Sequence, residues 1–129
     1  MTTGTVYLVG PGPGYPGLIT VRGLSLVQSA DVIVHDRLIP KELLTFARPR
    51  AELIDAGKAP GAHRMAQGDI EQLLIERARQ GKRVVRLKGG DPFVFGHGFE
   101  ELARCREAGV ACVAVSGVSS AIAGPGAAG

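Results

Sequence analysis

Several short segments hold the residues whose types and spacing suit chemistry. The first is Gly10-Pro11-Gly12-Pro13-Gly14-Tyr15-Pro16-Gly17, in which Gly12, Gly14 and Gly17 satisfy G-x-G-x-x-G. Asp36 follows about twenty residues later, where a dinucleotide-binding fold places its ribose ligand. The prolines oppose that reading. Pro11, Pro13 and Pro16 lack an N–H, so the loop cannot offer the row of amide donors that cradles a pyrophosphate. A loop this dense in glycine and proline suits a close backbone approach to a flat ligand instead.

Asp36 stands between His35 and Arg37. As a general base it must be partly desolvated to accept a proton near neutral pH. The plainer alternative is a carboxylate that caps its own turn or pairs with Arg37. Lys58, after Gly57, joins the chemistry only if it lines the same cleft, and is otherwise a solvated lysine. In Arg86-Leu87-Lys88-Gly89-Gly90-Asp91-Pro92-Phe93-Val94-Phe95-Gly96, the two adjacent glycines permit backbone approach or positive φ. Asp91 can accept hydrogen bonds from ribose hydroxyls or an ammonium, and Pro92 stiffens the exit. Ser119 and Ser120 suit a helix N-cap or the polar edge of a ligand.

These segments need elements to hold them. Residues 6–9 are a short apolar, β-branched run ending at the Gly/Pro cluster, which predicts a buried strand entering a loop. Thr20 then caps a helix in which Val21, Leu24 and Val27 recur at helical spacing as far as Ser29. Further strands are expected over 31–35, 52–55, 83–87 and 110–115. A short helix runs from Pro40 through 46, the next over 69–80 with Gly81 just past its end, and another over 98–108 stopped by Gly109. In the 69–80 helix, Ile70, Leu73, Leu74 and Ala78 form the apolar face. The loop over 57–67 is long for a compact domain, which marks it as functional. Strands alternating with helices imply a three-layer α/β fold with a mainly parallel, five-stranded sheet, because parallel strands need crossovers and these cover both faces. In such sheets ligands collect beyond the carboxyl ends of the strands, where the segments above lie.

The 129 residues carry 15 Lys plus Arg against 12 Asp plus Glu, a formal charge of +3, and 45% of them are hydrophobic, so a disordered chain is excluded. A weak positive charge, no Trp and few aromatics argue against a nucleic-acid partner and suit an anionic small molecule. Cys105 and Cys112 form no C-x-x-C pair, and His35, His63 and His97 are scattered, so no metal site is expected and the thiols read as reduced and structural. The sequence shows no apolar stretch of membrane-spanning length and no targeting signal, which makes the cytoplasm the default compartment.

Taken in order and spacing, residues 6–17, the Val34-His35-Asp36-Arg37-Leu38 tip, Gly57-Lys58 and residues 83–96 resemble the uroporphyrinogen-III C-methyltransferases of the tetrapyrrole methylase superfamily. The stretch from Val84 to Gly96 is the most specific of these. The resemblance implies the first α/β domain of an enzyme that moves methyl groups from S-adenosyl-L-methionine to two ring carbons of uroporphyrinogen III. The product would be precorrin-2, used for siroheme or cobalamin. It further implies that Pro13, Gly89, Gly90, Asp91, Val94, Ser119 and Ser120 contact S-adenosyl-L-methionine, that Asp36 is the proton acceptor and Lys58 the proton donor, and that the protein is a homodimer. The many carboxylates of that substrate make Arg22, Arg37, Arg64, Arg86 and Lys88 candidate anion contacts, although each alone reads as a solvated surface charge. Tyr15, His97, Phe99 and Ser116 depart from the family's pattern, which bears on substrate fit more than on fold. A second domain, which in the family forms the other wall of the cofactor cleft, is expected to lie beyond residues 1–129, so weak cofactor binding and little turnover are expected of these residues alone. The readings left beside this one are a dinucleotide-binding module and a related methylase acting on another corrin precursor.

Overall fold

The structure is a computed structural model that describes residues 3–10, 21–36, 39–57, 65–88 and 98–115. The strands are β1 (Thr5–Val9), β2 (Val32–His35), β3 (Glu52–Asp55), β4 (Val84–Leu87) and β5 (Ala111–Val115). They alternate with the helices α1 (Val21–Ser29), α2 (Lys41–Leu44), α3 (Gln67–Arg79) and α4 (Gly98–Glu107). All the strands pair in parallel, in the order β3-β2-β4-β1-β5. The expected parallel α/β sheet is therefore present, and the predicted strand and helix boundaries hold to within a few residues.

Successive residues of a strand point to opposite faces, so each strand feeds two cores. Val6, Leu8, Val32, Val34 and Val84 pack on one face against Ile70, Leu74, Ile75 and Ala78 of α3 and Cys105 of α4. Val9, Ile33, Val85, Leu87 and Val115 pack on the other against Leu26 and Val27 of α1 and Leu43 of α2. Buried β-branched residues on both sides of the central strands give them their continuous apolar runs.

The handedness of parallel crossovers explains which helix lies on which face. From β1 through β2 to β3 the chain steps across the sheet in one direction, and α1 and α2 share a face. From β3 through β4 to β5 it steps back, and α3 and α4 cover the opposite face. The neighbouring strands β1 and β4 thus lead away to opposite faces. An open sheet has its ligand crevice at such a point, above the carboxyl ends.

Both predicted helix stops are glycines in the left-handed region. Gly81 has φ 83° and donates its amide to Ala78 O at 2.9 Å, and Gly109 has φ 76° and donates to Arg106 O at 3.0 Å. Gly4 is glycine for a different reason: a Cβ there would run into the Lys82 backbone carbonyl. Helix α3 begins at Gln67, two residues before the expected start, because the Ala66 carbonyl already accepts the amides of Asp69 and Ile70, both at 3.0 Å. Its apolar face is also turned from the expected one. Glu71 and Ile75 are buried with Ile70, Leu74 and Ala78, and Leu73 lies at the margin.

β3 is an edge strand and carries the polar residues such a position tolerates. Arg77 of α3 reaches Glu52 with two hydrogen bonds, Nε to Oε1 at 2.9 Å and a terminal nitrogen to Oε2 at 3.2 Å. This contact holds the Glu52 carboxyl below its ordinary value of 4.5. A lowered folded value means that the pair's contribution is present above the unfolded value and is lost as pH falls through the folded one. Both side chains are partly exposed, so Glu52→Gln is expected to cost less than about 1 kcal/mol at pH 7. Urea denaturation of the two proteins should show that gap closing as the buffer is acidified below the unfolded value. Among the described residues no helix is long and apolar enough to cross a membrane.

Candidate active site

β2 is buried along its whole length and delivers Asp36 to the carboxyl edge of the sheet. The Asp36 amide donates to Leu87 O at 3.3 Å, extending the β2–β4 ladder by one residue, and its carbonyl accepts the Ile39 amide at 3.3 Å as the chain turns. His35 Nδ1 lies 3.1 Å from the same carbonyl. A carbonyl can only accept, so Nδ1 carries the proton in that contact. The Asp36 side chain is 39% exposed, half in water and half against protein.

Alternation places Asp36 on the same face as Val32 and Val34, under α3 and α4. Arg86 of β4 stands opposite Val34 in the parallel register and faces the same way. Its guanidinium is buried, and each of its three nitrogens donates. Nη2 donates to Asp36 Oδ1 at 2.8 Å, Nε donates to Glu101 Oε2 at 3.1 Å, and Nη1 donates to the carbonyls of Val34 and Leu87, both at 3.3 Å. A planar fork held at each nitrogen has one orientation.

Glu101, in the first turn of α4, has no exposed surface. Its Oε2 also accepts Gln67 Nε2 at 3.2 Å, and Lys88 Nζ lies 3.4 Å from Oε1. That last contact pairs charge without hydrogen-bond geometry, and Oε1 has no hydrogen-bond partner. Gln67 Nε2 continues to Glu71 Oε2 at 3.1 Å, and Glu71 Oε1 lies 4.0 Å from Arg104 Nε. Two cations, Arg86 and Lys88, therefore meet two carboxylates, Asp36 and Glu101. Balanced charge and near-complete hydrogen bonding are the conditions under which buried ions are tolerated.

Of the residues expected at the site, Asp36 is described. Lys58, Pro13, Gly89, Gly90, Asp91, Val94, Ser119 and Ser120 lie outside the described residues, as do Arg37 and Arg64. The strands that lead into three of those segments are joined at their ends. The Gly10 amide donates to Val115 O at 3.3 Å, and the Lys88 amide donates to Val9 O at 3.1 Å. Two expectations are corrected. Arg86 and Lys88 are not solvated surface charges: both are buried, because alternation turns them inward under α4, where Glu101 receives them. Asp36 is paired with Arg86, one strand away, while Arg37 lies outside the described residues. Arg22, by contrast, is exposed on α1.

Glu101 and Gln67 were not singled out from the sequence. Their signal was an arginine inside the apolar run Val84-Val85-Arg86-Leu87, which implies a buried counter-charge from the covering helices. Cys105 and Cys112 are free and buried in the core between α4 and β5, as expected of structural thiols. The hydrogen bond between them, together with burial, pushes the Cys112 thiol up.

Comparison with known proteins places this geometry. Residues 5–129 match the tetrapyrrole (corrin/porphyrin) methylases. The chain is 52% identical over 127 residues to a uroporphyrinogen-III C-methyltransferase of Methanocaldococcus jannaschii, covering 98% of the chain and 52% of that protein. It is 55% identical over 118 residues to a siroheme synthase of Chromobacterium violaceum, covering 92% of the chain and 25% of that protein. Among solved structures, a uroporphyrin-III C-methyltransferase from Thermus thermophilus complexed with S-adenosyl homocysteine superposes with a TM-score of 0.78 at 42% identity, over 95% of this chain and 48% of that one. The chain thus spans about half, or a quarter, of the length of these relatives. A match running from the first residue of β1 to the last residue of the chain, together with the shared parallel sheet, shows that the chain belongs to the tetrapyrrole (corrin/porphyrin) methylase family.

Proposed function

We propose that this chain forms the part of an S-adenosyl-L-methionine-dependent C-methyltransferase that builds the methyl-donor crevice and carries the proton acceptor. Its substrate would be uroporphyrinogen III and its product precorrin-2. The observation that carries this reading is Asp36. It is a half-exposed carboxylate at the carboxyl edge of a parallel sheet, fixed by a buried arginine next to the point where β1 and β4 part.

The residues fit the methyl donor in kind. The strand ends of β1, β4 and β5 that precede Pro13, the Gly89-Gly90-Asp91 segment with Val94, and Ser119 and Ser120 in sequence hydrogen-bond to one another. Those residues offer close backbone approach, one carboxylate for hydroxyl or ammonium groups, and two hydroxyls. When bound, S-adenosyl-L-methionine supplies an electrophilic methyl on a sulfonium. The chain's own task is to orient the pyrrole carbon that attacks it and to accept, at Asp36, the proton that the macrocycle must lose elsewhere to discharge the positive charge left by methyl transfer. Lys58 would serve as proton donor. Homodimer formation and a cytoplasmic location belong to the same proposal, supported by the family resemblance.

A dinucleotide-binding role finds less support. Asp36 Oδ1 is already engaged by Arg86, and so is poorly placed to hold a ribose hydroxyl pair. Calorimetric titration with S-adenosyl homocysteine tests the proposal. Saturable binding that Asp91→Ala abolishes supports it. A folded protein that takes up NAD and shows no heat with S-adenosyl homocysteine overturns it.

A further inference from the structure

We infer that Glu101 is a positioning residue for Asp36: acting through Arg86, it orients the guanidinium and takes up part of its charge, so that Asp36 is held in place yet stays able to accept a proton. The inference rests on the reading of Asp36 as the proton acceptor.

A carboxylate gripped by an uncompensated cation is a poor base, since the cation favours the ionised form. Arg86 alone would do this to Asp36. Its Nε instead donates to Glu101, and the carbonyls of Val34 and Leu87 take Nη1. Glu101 is buried completely, where its charge acts at full strength on its neighbours, whereas Asp36 is partly screened by water.

Among the described residues, the charged groups of the network that holds Asp36 come from β4, α4 and α3. β4 supplies Arg86 and Lys88, α4 supplies Glu101 and Arg104, and α3 supplies Glu71, while the His35 ring on β2 is turned to the Asp36 carbonyl. Arg104 and Glu71 offset each other at 4.0 Å. Arg86 and Lys88 offset Asp36 and Glu101. Taking the charge from Glu101 leaves buried Arg86 and Lys88 with one negative charge fewer beside them. Glu101→Gln keeps the shape, and its amide oxygen can still accept from Arg86 and Gln67, while its NH2 replaces the oxygen that faces Lys88.

The test is a carbon-13 NMR titration of the aspartate carboxyls, with the Asp36 signal identified by its loss in Asp36→Asn. In Glu101→Gln the Asp36 midpoint is expected to move to lower pH by about one unit relative to the unsubstituted chain. In Glu101→Gln combined with Lys88→Met, where charge balance returns, it is expected to move most of the way back. A folded Glu101→Gln with an unmoved midpoint overturns the inference, as does a double variant that stays with the single one. Should Glu101→Gln not fold, Lys88→Met alone must raise the midpoint, and a static midpoint there overturns the inference equally. The titration needs no methyl donor. An unmoved midpoint beside intact S-adenosyl homocysteine binding therefore refutes the role of Glu101 only, whereas a moved midpoint without that binding refutes the methyltransferase reading only.

Discussion

Arg86→Met is expected to destabilise the fold by about 3–5 kcal/mol, the cost of removing one partner from a buried ionic cluster. The side chain is 2% exposed and is shared by two carboxylates and two backbone carbonyls. Methionine fills much of the volume and offers no donor. Asp36 can recover part of its loss from water, because it lies half in solvent. Glu101 cannot, and is left with the single weak contact to Lys88 at 3.4 Å and the Gln67 amide. Against a total stability of about 5–15 kcal/mol this is a large fraction. Urea denaturation at neutral pH checks it, and a loss below about 1 kcal/mol would mean that the cluster is far better hydrated than its burial implies. Arg86→Lys should recover only part of the loss, since one ammonium cannot reach both carboxylates and both carbonyls in the geometry of a fork.

Asp36→Asn should behave in the opposite way, sparing the fold and removing the chemistry. An asparagine oxygen can still accept from Arg86 Nη2, and the residue sits at the edge rather than in the core. On the proposed reading this variant lacks the proton acceptor, however, and general-base removal lowers rates by about 10²–10⁴-fold. Methyl transfer to uroporphyrinogen III should therefore fall by about that factor while S-adenosyl homocysteine still binds. A rate that stays near that of the unsubstituted protein would move the proton acceptor elsewhere. The pair of variants separates the two halves of the cluster: Arg86 acts on stability, Asp36 on turnover.

The backbone plan was readable because its signals are local. Residues 52–55 mark β3 directly, and Gly81 and Gly109 end their helices through a conformation that glycine adopts without strain. Asp36 was readable as a carboxylate at a strand tip. Its pairing with Arg86 was not, because Arg86 becomes a neighbour only when β2 and β4 align. Nothing local says that strands separated by α2, β3 and α3 lie side by side. The start of α3 was misjudged for a related reason. Asp69 looks like a first-turn acid that announces a helix, yet the backbone carbonyl of Ala66 opens it earlier, and Gln67 spends its amide on Glu71 and Glu101. The burial of Lys88 likewise depends on a glutamate from another element, and long charged side chains reach the interior only where such a partner waits.

The central position of β1 bears on how the chain is born. Val6 lies between Val84 and Cys112, so β1 leaves the ribosome well before both of its neighbours, which lie in the second half of these residues. Synthesis at about 5–20 residues per second keeps it waiting on the order of ten seconds, with an apolar Val6 to Val9 run and unpaired amides exposed throughout. The pair β2 and β3 has no such delay, since both strands emerge together and align over Val32 to His35. Nascent chains stalled before β4 has cleared the exit tunnel should thus hold a β2–β3 unit and a loose β1, the form in which a holdase chaperone would meet this protein.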